Sequence, residues 1–356
     1  MRYAVIMAGG AGVRLWPLSR STRPKQVLRL FGGSSLLRHS FERTLALHPP
    51  EQICVITTSA NVEAVKRELP ELPSANLFSE PVGRDSANAV ALAAALLIKR
   101  DPDAVIGTFT ADHIISPIER FSATVERAYR AAEASPGALV TMGIRPNRPD
   151  TNYGYIRRGE CVSDGVFKAD KFTEKPGVSK AIHYLASGEY YWNSGMFAWR
   201  ASAILEELEK HLPQTFAAVT ELAEVWDTDA RTARLNELYP KLMKISIDFA
   251  VMERAEQVLV VEMDCHWVDV GSWPAIEAVI GADADGNVSA TDHVIHLGSR
   301  GNIVVSEGKH LIATIGVDDL VIIHTPDATL ICTKRDSTGI KELVDNIRSR
   351  YGEEYL

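Results

Sequence analysis

MAGGAGVRLWPLSRSTRPKQ, residues 7–26, is the stretch on which the reading of this chain turns. Tyr3 and the residues up to Met7 form a short apolar run in front of it, as a buried strand requires. Gly9, Gly10 and Gly12 crowd the loop that follows, between Ala8 and Val13. Glycine bends freely and lets a ligand approach the backbone, because no Cβ stands in the way. The N–H groups exposed by such a loop suit a phosphate. Arg14, Arg20, Arg23 and Lys25 then line up as cations, with Pro17 and Pro24 stiffening the segment between them. A glycine turn leading into a stiff basic arm predicts a triphosphate site.

Two common phosphate loops do not fit. No Lys-Ser or Lys-Thr follows the glycines, as a P-loop needs. Leu15 stands where a dinucleotide fingerprint needs its third glycine, and the next strand closes on Thr57 and Thr58 with no acid for a ribose. That weakens a nicotinamide dehydrogenase. Outward from the loop, helical spacing over 34–47, 62–69, 86–99 and 122–134 alternates with apolar runs over 53–57, 76–79, 104–110 and 138–143. Ser86 is positioned to cap the third of these helices. Such alternation predicts an α/β fold, a mostly parallel sheet with helices on both faces and ligands beyond the carboxyl ends of the strands. The glycine loop and Asp112 both fall at such ends.

From Asn152 the pattern loosens, and 153–156, 172–176 and 192–197 read as loops and hairpins laid over the sheet. Helices are expected over 201–212, 216–226 and 246–254, and a strand over 258–263. After Ala282 short β-branched runs recur about nine residues apart, as in a small coil of stacked strands, and 339–350 reads as an amphipathic closing helix.

Composition bounds the partners. The 356-residue chain carries a net charge of −8, so it has no general basic field and no nucleic-acid partner is expected. The apolar run 89–98 is too short to span a bilayer, so no membrane partner is expected. The N-terminal apolar run is broken by glycines and leads into cations, unlike a secretory leader. Cys54, Cys161, Cys265 and Cys332 are scattered, which argues against a zinc site or disulfide framework and favours a cytoplasmic location.

The ordered string GG-x-G-x-R-L-x-P-L, followed by P-K, resembles the signature of the sugar-1-phosphate nucleotidyltransferases. Trp16, Ser19, Arg20 and Lys25-Gln26 make it similar to the mannose-1-phosphate guanylyltransferase branch. EPVGRD (80–85), TADH (110–113), NYGYI (152–156), FTEKP (172–176), NSGMF (193–197), SIDFAVMER (246–254) and WVDVGSW (267–273) extend the resemblance in the family's order. It implies a Rossmann-like catalytic domain over 1–282 and a small left-handed β-helix-like domain with a closing helix over 283–356. The latter would supply a homodimer contact.

The implied reaction transfers GMP from GTP to mannose 1-phosphate by attack of the sugar phosphate on the α-phosphorus, releasing pyrophosphate. Transfer between anions needs positioning and charge stabilisation more than covalent chemistry. Asp112 and Asp269 match the family's metal pair, for Mg2+ or another divalent cation. Arg14 and Lys25 match the residues that hold the β- and γ-phosphates. Ala8, Gly9, Gly10, Gly12, Val13, Gly83, Arg84 and Asp85 would complete the nucleotide site. Lys175 would meet the sugar phosphate, with Tyr153, Gly154, Glu174, Asn193 and Gly195 around the sugar. Asp85 stands where the family usually has Asn, and is suited either to guanine or to opening a helix. Asn88 and Thr110 both stand where the family commonly has Pro. A non-catalytic relative would be expected to lose charged residues that are all present here. Some relatives carry a cupin-type isomerase domain. About seventy residues after Ala282 are too few for one, so this chain is expected to be monofunctional, with His293, His296, His310 and His324 on the tail surface.

Overall fold

The computed structural model describes residues 1–10, 12–30 and 33–356; Ala11, Phe31 and Gly32 lie outside them. Its strands up to residue 269 are β1 (Arg2–Met7), β2 (Ile53–Thr58), β3 (Leu77–Glu80), β4 (Val105–Thr110), β5 (His113–Ser116), β6 (Leu139–Ile144), β7 (Tyr155–Ser163), β8 (Val166–Thr173), β9 (Tyr190–Arg200), β10 (Val258–Glu262) and β11 (His266–Asp269). Nine of them form one mixed sheet in the order β3-β2-β1-β4-β9-β6-β10-β8-β7. β3, β2, β1 and β4 pair in parallel, as the strand–helix alternation requires. β9 then lies antiparallel between β4 and β6. β5 and β11 form a separate antiparallel pair in which Asp269 faces His113.

Three local expectations are corrected. The segments 153–156, 172–176 and 192–197 do not lie over the sheet. They border or belong to β7, β8 and β9, of which β7 pairs with β8 and with the start of β9. The positive φ of Gly195 (67°) and register shifts along β7 and β9 break the two-residue period there, so these strands read as loops. The helix Ser86–Arg100 is capped by Asp85, whose Oδ1 accepts from Ser86 N at 2.8 Å. The Ser86 hydroxyl instead accepts from Ile247 N at 2.9 Å. The expected helix over 246–254 is a wide π-type turn, Asp248–Met252. Such turns insert a residue into helical spacing and re-aim a side chain, here Asp248.

The helix Ser86–Arg100 is buried along eleven residues from Ala87 to Leu97 and packs one core against the sheet. A second core, with Phe41, Phe121 and Tyr129, fills the opposite face. Both faces are therefore covered, as the parallel strands β3, β2, β1 and β4 of this mixed sheet demand.

The tail has β12 (Val288–Ala290), β13 (Val294–Leu297), β14 (Ile303–Ser306), β15 (Ile312–Ile315), β16 (Leu320–His324) and β17 (Thr329–Thr333), then the helix Ile340–Tyr351. β12, β14 and β16 stack in parallel on one face and β13 pairs with β15 on another, giving a β-helix-like coil. Buried Asn287 and Asn302 brace its turns: Asn287 Oδ1 accepts from Asn302 N at 3.0 Å, and Asn302 Oδ1 from Leu320 N at 2.9 Å. The tail histidines do not converge as ligands. His296 bonds to Thr314 at 2.7 Å, and His310 stacks on His324 at 3.8 Å between ring centroids. A third core joins tail and loop: Leu15, Trp16, Leu18 and Trp273 pack with Val288, Ile303, Val321 and Ile340.

Candidate active site

The glycine loop leaves β1 over the carboxyl end of the parallel strands. Ala8 is buried, its N–H on Ile56 O and its carbonyl accepting from Thr57 Oγ1, so it anchors the loop rather than lining a cavity. Gly10 O accepts from Gln26 Nε2 at 2.9 Å and Gly12 O from Ser19 Oγ at 2.6 Å. Gly12 has φ 65°, and a Cβ there would come within 2.6 Å of Lys25 Cβ. Only glycine permits this approach, which seats Lys25 against the loop.

Beside the loop opens a cavity of about 630 Å³ lined by Gly9, Gly10, Glu80, Gly83, Asp85, Thr110 and Asp112, among others. Glu80, at the end of β3, is a residue the sequence reading passed over although EPVGRD was in view. It is 3% exposed and takes the Tyr239 hydroxyl on Oε1. Burial pushes its carboxyl up to about 7, against the Tyr239 donation that favours the ionised form. Arg84 departs from expectation: it donates to Pro240 O and does not line this cavity. Val13 departs as well, since it lines a crevice with Trp16, Val344 and Leu356.

The loop cations divide. Arg20 pairs with Asp327 at 2.8 Å and Arg23 with Glu307, both on the tail. The notion of one basic arm aimed at phosphate is therefore corrected: these two arginines fasten the loop to the tail, although Arg20 also borders the cavity. Arg14 has no ion pair or hydrogen bond among the described residues. It lines a second cavity of about 910 Å³ with Asp269, Tyr153, Trp192 and Trp267. Lys25 Nζ pairs with Asp112 Oδ2 where the cavities approach.

Asp112, His113 and Asp269 form the only cluster of metal-capable side chains among the described residues, with ligand atoms all within 4.8 Å of one another. The β5–β11 pairing brings Asp269 beside a turn far away in sequence. Burial would raise the Asp112 carboxyl, but the Lys25 charge beside it outweighs that and holds it down at about 2. Burial lowers the His113 imidazole, opposed by Asp112 and Asp269. Arg43 lies buried behind this turn, donating to His113 O at 3.1 Å, and burial lowers its guanidinium to about 10.

The expected sugar residues cluster where β7, β8 and β9 begin or end, and only Gly195 among them is placed beside Thr110. Glu174, Asn193 and Gly154 touch: a Cβ on Gly154 would fall 2.4 Å from Glu174 Oε2 and 3.3 Å from Asn193 Cβ. Asn193 Nδ2 donates to Asp248 Oδ1 at 2.7 Å, and burial, then the Glu174 charge, pushes the Asp248 carboxyl up to about 7. Asp248 was not singled out, because SIDFAVMER reads as helix until the π turn is seen. Lys175 pairs with Glu174 from a backbone at φ 44° and is 57% exposed. Gly195 lies 3.8 Å from the Thr110 methyl, measured from an ideal Cβ. Tyr153 bridges toward the carboxylates, its ring 5.0 Å from Trp267 and its hydroxyl pushed up to about 12 by burial and then Asp269. Trp273 is a packing residue, donating to Trp16 O at 3.1 Å.

The chain resembles known proteins over its whole length. Residues 3–286 match the family model described as nucleotidyl transferase, and residues 292–347 match that of the MannoseP isomerase/GMP-like beta-helix domain. The chain is 40% identical over 363 residues to a mannose-1-phosphate guanylyltransferase of Escherichia coli, covering 100% of this chain and 76% of that protein. It is 40% identical to a xanthan biosynthesis protein of Xanthomonas campestris, covering 97% of this chain and 73% of the other. A Thermus thermophilus crystal structure described as mannose-1-phosphate geranyltransferase superposes with a TM-score of 0.87 at 36% identity, covering 98% of this chain and 99% of that one. No helix among the described residues is long and apolar enough to cross a membrane.

Proposed function

The chain belongs to the nucleotidyl transferase family and, within it, to the mannose-1-phosphate guanylyltransferases, and from that premise we infer how its residues divide the reaction. It transfers GMP from GTP to α-D-mannose 1-phosphate, giving GDP-mannose and pyrophosphate. The observation that carries our reading is that the loop-side cavity, lined by Thr110 and Asp112, reaches Gly195 beside the Thr110 methyl, and Gly195 N donates to Asn193 Oδ1 in the Glu174–Asn193–Asp248 cluster.

Guanosine occupies the 630 Å³ cavity. Guanine presents two adjacent donors, and an ionised Glu80 accepts both; Asp85, already engaged in capping, is left to shape the floor. Gly9 and Gly10 let the phosphates lie close to backbone. Lys25 and Arg14 neutralise the leaving pyrophosphate as the bond between the α-phosphorus and its bridging oxygen breaks; removing one such donor costs roughly 3–4 kcal/mol in the transition state. The sugar lies against Gly154, with Glu174, Asn193 and Asp248 on its hydroxyls, and Lys175 leaves Glu174 to take the sugar phosphate.

Asp112 and Asp269 fit a hard divalent cation, most simply Mg2+, because two carboxylates converge within one coordination sphere. Such a cation supplies charge neutralisation between the two phosphates. Asp112, held ionised by Lys25, and Asp269 keep that position ready.

We also infer a homodimer through the tail. Ile295 and Leu297 of β13 and Ile315 of β15 are 59%, 63% and 72% exposed on adjoining strands, beside exposed Leu311. A contiguous apolar ladder of this kind marks a protein contact. A pyrophosphate-release assay over a grid of nucleotides and hexose 1-phosphates tests the substrate reading. GTP with mannose 1-phosphate should give the highest kcat/KM, and a better pair elsewhere in the grid would overturn it.

A further inference from the structure

His113 lies between the two carboxylates, with Nε2 3.8 Å from Asp112 Oδ1 and 4.0 Å from Asp269 Oδ1. Its position alone fits a third metal ligand. The other ring nitrogen decides otherwise. Trp267 Nε1–H, which can only donate, points at His113 Nδ1 at 3.1 Å. Nδ1 must then offer a lone pair, so the ring is neutral and its proton sits on Nε2. A nitrogen that carries a proton has no lone pair for a metal. It can donate to a carboxylate, and a closure of roughly 1 Å brings either oxygen into hydrogen-bond range.

We propose that His113 is a positioning residue, whose Nε2–H aligns the Asp112 and Asp269 carboxylates for a divalent cation and whose tautomer is set by Trp267. This rests on the divalent-cation reading above. The ring is well braced for the task. Its edge contact with Trp267 has 5.2 Å between centroids. Arg43 holds the His113 carbonyl, and Ser40 Oγ donates to Thr110 O at 3.0 Å on the same turn. Asp112 is thereby flanked on two sides: Lys25 pairs with Oδ2, and His113 Nε2 stands 3.8 Å from Oδ1. Neighbours that donate to ligating carboxylates typically change metal affinity 10–100-fold when removed.

The test is Mn2+ binding to the purified full chain, followed by the loss of the free-ion EPR signal. H113L should raise the Mn2+ Kd about 10-fold or more. H113Q, which keeps an N–H near the Nε2 position, should stay within about threefold of wild type. Unchanged affinity in H113L, or equal losses in both variants, would overturn the proposal. Two measurements on unsubstituted protein guard against misfolding of the variants. The 15N spectrum should show His113 protonated at Nε2, and the electron-spin-echo modulation of bound Mn2+ should lack a directly ligated imidazole nitrogen. Protonation at Nδ1, or a ligated nitrogen, refutes it. Mn2+ that fails to bind wild type, or binds D269N equally well, instead overturns the metal reading beneath it.

Discussion

Glu80 gives the reaction a pH dependence whose direction follows from charge. In the proposed role, the ionised carboxylate would accept both guanine donors. The protonated form brings an O–H against them and loses at least one hydrogen bond. With its carboxyl raised to about 7, about a tenth of the free enzyme is ionised at pH 6 and about nine tenths at pH 8. The kcat/KM for GTP should therefore rise roughly tenfold between those values and then level off. Tyr239 donates to the ionised form, so Y239F should move the midpoint upward by about one unit, the equivalent of roughly 1.4 kcal/mol. ITP, which lacks the 2-amino donor, should be poorer than GTP by about 10–100-fold, since a hydrogen bond to a charged group contributes about 1.5–3 kcal/mol. Initial rates of pyrophosphate release at limiting GTP measure all three. The phosphates of the substrates also titrate near pH 6, so E80Q is the control: the slope through 7 should vanish with the titrating group. A slope that survives in E80Q, or ITP used as well as GTP, would refute the assignment of Glu80 to the base.

D269N should cut turnover by orders of magnitude with little change in Tm, and EDTA should abolish wild-type turnover; activity in EDTA would sink the metal pair. K25A and R14A should mainly damage use of GTP, whereas K175A should mainly raise the KM for mannose 1-phosphate. If K175A instead weakens only GTP, the sugar-side assignment is wrong. If the tail forms the inferred homodimer, L297E with I315E should yield monomer in analytical ultracentrifugation, and an unaltered sedimentation coefficient would exclude the β13–β15 face.

The first half of the sheet was legible because its signals are local. Apolar runs such as Ile53–Thr58 and the alanine-rich helix Ser86–Arg100 carry their period within themselves. β9 was not legible, since its place between β4 and β6 depends on pairing across distant segments and Gly195 breaks its alternation. At the site, the Asp112–Asp269 pairing came from motif order, and the β5–β11 register later gave it a physical basis. Arg20 and Arg23 misled because a cation reads the same whether it faces phosphate or carboxylate. Their partners lie 307 and 284 residues downstream. Glu80 and Asp248 were hidden for another reason: only burial separates a cavity carboxylate from a solvated one, and one chain's sequence does not display burial.

The fastening of loop to tail reaches beyond support. Trp16 Nε1 donates to Tyr355 O at 2.7 Å, Ser21 Oγ to Leu356 O at 2.9 Å, and Trp273 to Trp16 O at 3.1 Å. A glycine-rich phosphate loop left to itself would lose conformational entropy each time a nucleotide arrived. Here the coil of strands and the C-terminal residues brace the loop in the folded chain. The two matched segments, 3–286 and 292–347, are thus separate as sequence patterns but share one hydrophobic core and two ion pairs. On the reading that this loop holds the triphosphate, a substitution that loosens the coil should weaken GTP binding at a distance from the cavity, because the loop's bracing partners lie in the tail.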